Sequence, residues 1–238
     1  MRLKLTLEYD GTHFHGWAAQ PGLRTIEGVV RNALAVFPTS ADLAVAGRTD
    51  AGVHALGNVL SIDVAGGPPA QRAAESLNAA LPDDVAVVSV EEVAPDFNAR
   101  HSARTRSYRY RIWRRREWSP FEQRRSWWYA RPLDEEHLAV AADLLIGSHD
   151  FRAFTPTETQ HQSFRREVTA AAWYRRGDAL ELEITANSFL RHMVRSLVGT
   201  MVALPPERLA PLLDGRPRTD AGPTAPPWGL YLTSVGYD

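Results

Sequence analysis

The order of the hydrophobic periodicities along the N-terminal part of this chain constrains its fold more than any other feature. Apolar residues alternate where a strand is expected and recur at three and four positions where a helix is expected. They do so in the order strand, helix, strand, strand, helix, strand. The predicted elements span residues 3–9, 25–34, 43–46, 59–64, 70–81 and 85–93. This order belongs to the α+β class and is that of a split β-α-β unit.

A second group of elements follows from residue 105 onwards. The patterns predict strands and helices over residues 105–113, 133–147, 167–174, 179–185, 189–204 and 230–235. The helix over 189–204 has the strongest periodicity, and two prolines end it. We therefore predict an α+β fold of two similar split-βαβ halves, ferredoxin-like or RRM-like, whose antiparallel sheets meet at a central cleft. The expected domains are an N-terminal half, residues 1–103, and a C-terminal half, residues 104–238.

Positive charge is concentrated in one block, although the net charge of the chain is only −1. Residues 100–131 contain eleven arginines and two acidic residues, Glu117 and Glu122. Tyrosines and tryptophans interleave with them at positions 108, 110, 113, 118, 127 and 128. Guanidinium groups bind phosphate with two hydrogen bonds and stack on bases, as aromatic rings do. The block indicates that the predicted cleft binds nucleic acid; the alternative is a solvated strand face with long side chains.

Composition argues against several other classes of protein. The chain has no cysteine, so it has neither disulfides nor thiolate metal sites. No apolar run approaches the ~18 residues that a membrane helix needs. The first residues alternate like a strand and do not resemble a signal peptide. We expect a cytoplasmic protein that does not bind a membrane.

One polar loop lies between two apolar strands of the N-terminal half. It reads Gly47-Arg48-Thr49-Asp50-Ala51-Gly52-Val53-His54-Ala55 and has a glycine near each end. Glycine permits positive φ and a close approach of the backbone to a ligand. Two interpretations stand at this point. The loop presents Asp50 to a ligand, or it is a tight turn in which Asp50 binds its own backbone.

The segment 47–54 resembles the signature of the tRNA pseudouridine synthase A family. Further blocks resemble that family in the expected order along the chain. They are Tyr9-Asp10-Gly11-Thr12 with Phe14, Gly16 and Trp17; Phe97 with Ala99-Arg100, Ser102-Ala103 and Tyr108-Arg109-Tyr110; Gly147 with His149-Asp150-Phe151 and Ala153-Phe154; Asn187-Ser188-Phe189-Leu190 with His192-Met193-Val194-Arg195 and Val198-Gly199-Thr200; and Thr224-Ala225-Pro226 with Gly229-Leu230-Tyr231-Leu232. The chain departs from the family pattern at Ala18, Asn98 and His101, which concern the rim of the cleft and the RNA contacts.

The resemblance implies an enzyme that isomerises uridine to pseudouridine at positions 38–40 of the tRNA anticodon arm, without a cofactor or a metal. It also implies a homodimer that binds one tRNA across both subunits, and the Trp-rich stretch 113–128 is a candidate part of that interface. The implied catalytic residues are Asp50, Tyr108 and Arg195. The implied substrate-binding residues are Arg48, which intrudes into the RNA, Tyr108, Leu230, Arg100 and Arg191.

These residue types suit the reaction. A carboxylate attacks carbon as a nucleophile or removes a ribose proton as a base, and both routes stay open. Arg195 is the candidate cation that keeps Asp50 ionised in a dry pocket. Tyr108 suits stacking on an extruded uracil and transfer of the proton lost from C5. Two other functions stay open: a non-catalytic RNA-binding protein with the same cleft, and a metal-dependent hydrolase that uses Asp50 and His54.

Overall fold

The chain forms two compact units. The computed structural model describes residues 1–38, 43–159 and 161–237 in full, and residues 39–42 by their backbone. The first unit comprises Met1–Arg104 and the end of the chain from Tyr231 onwards. The second unit comprises Thr105–Leu230.

The regular elements of the described residues are ten strands and five helices. The strands, in chain order, are β1 (Arg2–Tyr9), β2 (Thr39–Val45), β3 (His54–Val64), β4 (Val85–Val93), β5 (Thr105–Trp113), β6 (Trp127–Trp128), β7 (Gly147–Asp150), β8 (Arg165–Arg176), β9 (Ala179–Ala186) and β10 (Leu230–Gly236). The helices are α1 (Ile26–Ala33), α2 (Ala70–Asn78), α3 (Glu135–Asp143), α4 (Met193–Ala203) and α5 (Pro206–Leu209). None of the helices in the described ranges is both long and apolar enough to cross a lipid bilayer. The predicted α+β class is confirmed, and the plan of two similar split-βαβ halves stays a prediction.

The sheet of the first unit is built around β3. β1 lies between β3 and β4, and these pairings, like that of β2 with β3, are antiparallel. β2 covers the other edge of β3 as far as Leu60. β10 joins that edge in parallel, opposite His54 and Ala55. The connection between β2 and β3, residues 46–53, therefore leaves the sheet at the gap between β2 and β10.

Both helices of the first unit bury one face, as their apolar spacing predicts. α1 begins where the Thr25 hydroxyl accepts a hydrogen bond from Gly28 N at 3.3 Å, which satisfies one of the amides that a helix start leaves unpaired. The buried residues are Ile26, Val30 and Ala33 in α1 and Ala73 and Leu77 in α2.

The sheet of the second unit has the strand order β5-β9-β8-β7, antiparallel throughout, and the short β6 runs parallel to β5. α4 is buried from Met193 to Met201 except at Arg195. Gly199 makes this burial possible, because a Cβ at that position would lie 1.8 Å from the carbonyl oxygen of Pro223. The loop that contains Pro223 therefore packs its backbone directly on α4.

The helix predicted over residues 189–204 is shorter than its apolar pattern indicates. His192 has a left-handed backbone with φ 62°, and Met193 N donates to Leu190 O at 3.1 Å, which closes a turn before α4. Arg191 therefore lies ahead of the helix. The predicted start of the helix at residue 189 is therefore wrong, and Arg191 and Arg195 do not share a helix.

Candidate active site

The loop that carries Asp50 starts from a buried amide clamp. Asn58 on β3 is fully buried, and its Oδ1 accepts a hydrogen bond from Gly47 N at 3.2 Å. Its Nδ2 donates to Gly47 O at 2.8 Å and to the Tyr9 hydroxyl at 3.1 Å. A buried polar group that loses its partner costs roughly 1–3 kcal/mol. The clamp therefore fixes the first residue of the loop.

Thr49, next to Asp50, is held from two sides. Its Oγ1 lies 2.8 Å from the Tyr9 hydroxyl on β1, and its carbonyl oxygen accepts from Trp17 N at 2.9 Å. Burial raises the pKa of the Tyr9 hydroxyl from 10.0 to about 12, and the hydrogen bonds with Thr49 and Asn58 offset part of this effect. Tyr9 is therefore neutral at physiological pH and acts as a hydrogen-bonding support.

Asp50 lies half-buried at the start of a tight turn. Its carbonyl oxygen accepts from Val53 N at 3.1 Å, and Gly52 within the turn has φ 76°. Gly16 has φ 90° and packs against the same segment, where a Cβ would lie 2.9 Å from Thr49 O. Both glycines are required by the backbone. The turn at Asp50 therefore packs directly on the backbone at Gly16.

His54, the last residue of the signature, has a packing role. Its ring is 2% exposed and stacks on Tyr231 with 4.7 Å between ring centroids. Its Nδ1 lies 3.1 Å from Gly11 N, whose N–H it accepts. Among the side chains of residues 1–38, 43–159 and 161–237, no three His, Asp or Glu residues form a cluster that could hold a metal ion. The residues present thus do not form the site that a metal-dependent hydrolase using Asp50 and His54 needs.

Arg48 and Arg100, both predicted to bind RNA, are exposed and line one cleft in the first unit. The cleft has a volume of about 170 Å³. Its other lining residues are Trp17, Glu27, Leu43, Ala44, Val45, Asn98 and His101. The sequence patterns did not indicate this cleft, because its walls come from segments far apart in the chain.

Tyr108 and Tyr110 lie on β5 of the second unit and differ in exposure. Tyr108 is half-buried, and its ring meets Phe189 edge to face with 5.0 Å between centroids. Tyr110 is fully buried, and its hydroxyl donates to Pro226 O at 2.8 Å. Burial raises the pKa of Tyr110 well above its ordinary value, and Arg195 lowers it by a smaller amount. Of this pair, Tyr108 is the one accessible to a ligand.

Arg195 lies in the first turn of α4 and is fixed by the loop that packs on this helix. Its Nε donates to Ala225 O at 2.9 Å, and Ala225 N donates to Arg195 O at 3.0 Å. The side chain is half-buried. The guanidinium is therefore oriented by the backbone and is not a solvated charge on the flank of the helix.

Arg191 and Leu230 are the other predicted residues of the second unit. Arg191 is exposed, and its backbone N–H donates to His161 Nε2 at 3.3 Å. Burial, with a smaller contribution from Arg166, lowers the pKa of His161, which keeps the ring neutral and able to accept. Leu230 is 6% exposed at the start of β10. The first unit thus carries Arg48, Asp50 and Arg100, and the second carries Tyr108, Arg191, Arg195 and Leu230.

The arginine block of residues 100–131 divides into structural and exposed members. Arg111 donates to Glu122 through Nε (3.1 Å) and Nη2 (2.8 Å), and to the buried Glu181 through Nη1 (2.5 Å). Hydrogen bonding to Glu122, then to Glu181, raises the pKa of Arg111. Arg114 donates to two main-chain carbonyl oxygens. The block is therefore not phosphate-binding throughout. Its exposed members are Arg100, Arg104, Arg115, Arg116, Arg124, Arg125 and Arg131.

Known proteins match the chain over nearly its whole length. The family profile described as tRNA pseudouridine synthase matches residues 6–102 and 141–238. A protein of Rhodopseudomonas palustris (strain HaA2) named tRNA pseudouridine synthase A is 43% identical over 99% of each chain. Proteins of the same name are 42% identical in Myxococcus xanthus, over 99% of this chain and 92% of that one, and 38% identical in Bacillus subtilis (strain 168), over 100% of each.

One solved structure is a more distant match. The crystal structure of a Cbf5-Nop10-Gar1 complex aligns with 97% of this chain and 49% of the other chain, at a TM-score of 0.43 and 10% identity. The chain thus spans about half of that protein's chain.

The signature loop and these matches define an RNA-modifying isomerase. The chain belongs to the tRNA pseudouridine synthase family, whose members isomerise uridine in tRNA. The resemblance stated from the sequence motifs is confirmed.

Proposed function

We propose that the chain converts uridine to pseudouridine at positions 38–40 in the anticodon arm of tRNA, with Asp50 as the catalytic carboxylate. One observation supports this most. Buried hydrogen bonds hold the loop before Asp50 at two points, through Asn58 to Gly47 and through Tyr9 to Thr49. A solvated turn does not need such support, whereas a carboxylate that must meet one atom of a substrate does.

The reaction balances without any redox change. The bond from ribose C1′ to uracil N1 breaks, the base turns, and C5 forms a new bond to C1′. C5 loses a proton and N1 binds one, so no atom is gained or lost overall. Asp50 either attacks carbon and leaves again, or removes a ribose proton and returns it. The carboxylate starts ionised and is regenerated in both routes, and neither calls for a cofactor.

Arg195 is the cation proposed to keep this carboxylate ionised. A guanidinium stays protonated at any physiological pH and stabilises a neighbouring carboxylate. The hydrogen bond from Arg195 Nε to Ala225 O supports this role, because it sets the direction of the planar fork. The pairing of Arg195 with Asp50 is inferred from the family signature.

The target base must leave its stack before a side chain can act on it. Tyr108 is proposed to stack on the extruded uracil, an interaction worth about 1–3 kcal/mol per base. The edge contact with Phe189 keeps the Tyr108 ring in place, and its hydroxyl is proposed to carry the proton from C5. Leu230 is proposed to line the base pocket, and Arg48 to occupy the space that the base leaves.

tRNA is the proposed partner, bound mainly through its phosphates. The exposed arginines of the block, together with Arg191, supply the positive charge. The logarithm of the binding constant for tRNA should therefore fall linearly with the logarithm of the salt concentration.

We also propose a homodimer in which one tRNA contacts both subunits. The exposed side chains of Trp118 and Phe121, within residues 113–128, support a part for this stretch in the interface.

Positional mapping of pseudouridine in unmodified tRNA tests the proposal, together with tritium release from uridine labelled at C5. We expect product at one or more of positions 38–40, and full activity in excess chelator. Asp50→Ala should bind tRNA and release no tritium. Asp96→Asn, which removes an exposed carboxylate of the same unit, should retain full activity.

Each failure has a distinct meaning. Product only at other positions would overturn the assigned site in tRNA. Full activity of Asp50→Ala would overturn the catalytic role. No product with tRNA binding retained would indicate the non-catalytic RNA-binding protein.

A further inference from the structure

Arg218 is a half-buried arginine whose guanidinium binds one loop of the second unit, residues 221–225. Nη1 donates to the carbonyl oxygens of Ala221 at 3.4 Å and Gly222 at 2.9 Å, and Nη2 donates to Thr224 Oγ1 at 3.0 Å. These three acceptors are neutral. Burial lowers the pKa of Arg218, so the charge is held here against the cost of desolvation. The guanidinium is therefore occupied within the protein, unlike the exposed arginines proposed to bind phosphate.

The loop 221–225 has no regular secondary structure, so contacts with its surroundings must fix its path. Its backbone lies directly on α4, because a Cβ at Gly222 would be 2.8 Å from Thr200 Cα. Gly222 N also donates to Thr200 Oγ1 at 3.1 Å. Thr224 Oγ1, which the guanidinium binds, lies 3.3 Å from Ser196 Oγ on the helix. The loop is therefore held by α4 and by the guanidinium together.

Ala225 ends this loop and makes two hydrogen bonds with Arg195. Arg195 Nε donates to Ala225 O at 2.9 Å, and Ala225 N donates to Arg195 O at 3.0 Å. Ala225 is 2% exposed, so water does not readily replace these bonds. A shift of the loop would move the carbonyl oxygen that Arg195 Nε binds, and the plane of the Arg195 guanidinium would turn with it. The orientation of Arg195 thus depends on the loop, and the path of the loop depends on Arg218.

We propose that Arg218 is a positioning residue for the reaction, which directs the Arg195 guanidinium through the loop 221–225 without touching the substrate. This inference rests on the proposed function, in which Arg195 stabilises the catalytic carboxylate. A planar fork of donors suits the task, because one guanidinium reaches several acceptors in a fixed geometry and an ammonium does not. A displacement of about 1 Å in a reacting site costs about a hundredfold in rate. Arg218 should therefore affect the rate of the chemical step more than the binding of tRNA.

Three variants, each made alone and combined with Arg195→Lys, test the inference. Arg218→Ala removes the fork of donors. Arg216→Ala is the matched control, because it removes an exposed arginine two positions earlier in the chain. Thr224→Val is a milder change that removes the hydroxyl bound by Nη2, and it keeps the test decisive if Arg218→Ala does not fold. Single-turnover tritium release gives the rate, fluorescence anisotropy gives the Kd for tRNA, and thermal unfolding shows that each variant is folded at the assay temperature.

The Nε–H group of Arg195 also gives a signal that does not depend on activity. In a two-dimensional proton–nitrogen NMR spectrum, the arginine cross-peak that Arg195→Lys removes reports the hydrogen bond to Ala225 O. Arg218→Ala should move this cross-peak towards the position of solvated arginines or broaden it. Arg216→Ala should leave it unchanged.

We expect Arg218→Ala to lower the rate about a hundredfold and Thr224→Val about tenfold, with the Kd for tRNA almost unchanged. Combined with Arg195→Lys, each should lower the rate further by less than about threefold, because a residue that acts through Arg195 then has nothing to position. Full activity of Arg218→Ala, losses that multiply in the double variants, or an Arg195 cross-peak that stays in place would overturn the inference. If the unchanged protein releases no tritium, the proposed function fails, and the cross-peak still decides whether Arg218 orients Arg195.

Discussion

Replacing Asn58 by alanine removes the clamp at the start of the Asp50 loop and leaves the carboxylate itself unchanged. Four side-chain hydrogen bonds are lost, with Gly47 N at 3.2 Å, Gly47 O at 2.8 Å, the Tyr9 hydroxyl at 3.1 Å and Val59 N at 2.9 Å. Because Asn58 is fully buried, the two backbone groups of Gly47 lose this partner away from bulk water, whereas the Tyr9 hydroxyl keeps its contact with Thr49 at 2.8 Å.

The expected loss of stability follows from these contacts. Each buried polar group left unpaired costs about 1–3 kcal/mol. The two backbone groups of Gly47, together with the smaller loss at the Tyr9 hydroxyl, should lower the free energy of unfolding by about 3 kcal/mol, against a typical total of roughly 5–15 kcal/mol. The melting temperature should fall by about 6–12 °C for a chain of this length. If Asp50 moves by about 1 Å, kcat/KM should fall by about a hundredfold.

Urea denaturation followed by tryptophan fluorescence measures the stability, and tritium release measures kcat/KM. A double-mutant cycle with Tyr9→Phe should give a coupling of about 1 kcal/mol, because the Asn58 amide and the Tyr9 hydroxyl are direct partners. The control is Asn32→Ala, an exposed position on α1, which should stay within about 0.5 kcal/mol of the unchanged protein.

Two results would refute this reasoning. One is an Asn58→Ala variant that loses less than about 0.5 kcal/mol, as an unimportant surface site would. The other is a variant that loses the expected stability and keeps full kcat/KM. In that case the clamp supports the fold without positioning Asp50.

Three further variants test other parts of the structure. His192→Gly should raise the free energy of unfolding by about 1 kcal/mol, because glycine adopts the left-handed φ of 62° without strain; a lower melting temperature would contradict this. Gly199→Ala places a Cβ 1.8 Å from Pro223 O and should destabilise by about 1–3 kcal/mol. Its activity should fall further than its stability because Ala225 then shifts away from Arg195, and an unchanged melting temperature would argue against the close packing. Tyr9 titrates near 10 when unfolded and at about 12 when folded, so the folded state holds more protons in this pH range. The free energy of unfolding should therefore fall by about 1.4 kcal/mol per pH unit as pH rises from 10 towards 12. Tyr9→Phe should lose this part of the slope in urea titrations at pH 9, 10 and 11, and equal slopes would count against a buried Tyr9.

Long regular patterns allowed several elements to be predicted from the sequence. β4 and β5 begin and end at the predicted residues 85–93 and 105–113. The start of α4 could not be predicted, because the apolar pattern continues through the left-handed turn at His192. The structural role of Arg111 could not be predicted either, because its buried partner Glu181 lies on another strand, far along the chain. Periodicity reports local conformation, and contacts between distant segments leave no periodic signal.

The candidate site likewise contains residues that the sequence indicated and residues that it did not. Motif residues indicated Asp50, but not the side chains that hold its loop. Asn58 stands among apolar residues of β3, and a polar side chain at a buried strand position is the one signal that could have indicated its role. The cleft at Asn98 needed four separate segments to be placed together. No pattern within any one segment reports such an arrangement.

The most direct test of the catalytic role is single-turnover tritium release by Asp50→Asn, with the protein in excess over labelled tRNA. This change keeps the size of the side chain and removes only its charge. The rate should fall by at least about a thousandfold, while the Kd for tRNA and the free energy of unfolding stay close to those of the unchanged protein. A folded, tRNA-binding Asp50→Asn variant that turns over within about tenfold of the original rate would contradict the assignment of Asp50 as the reacting carboxylate.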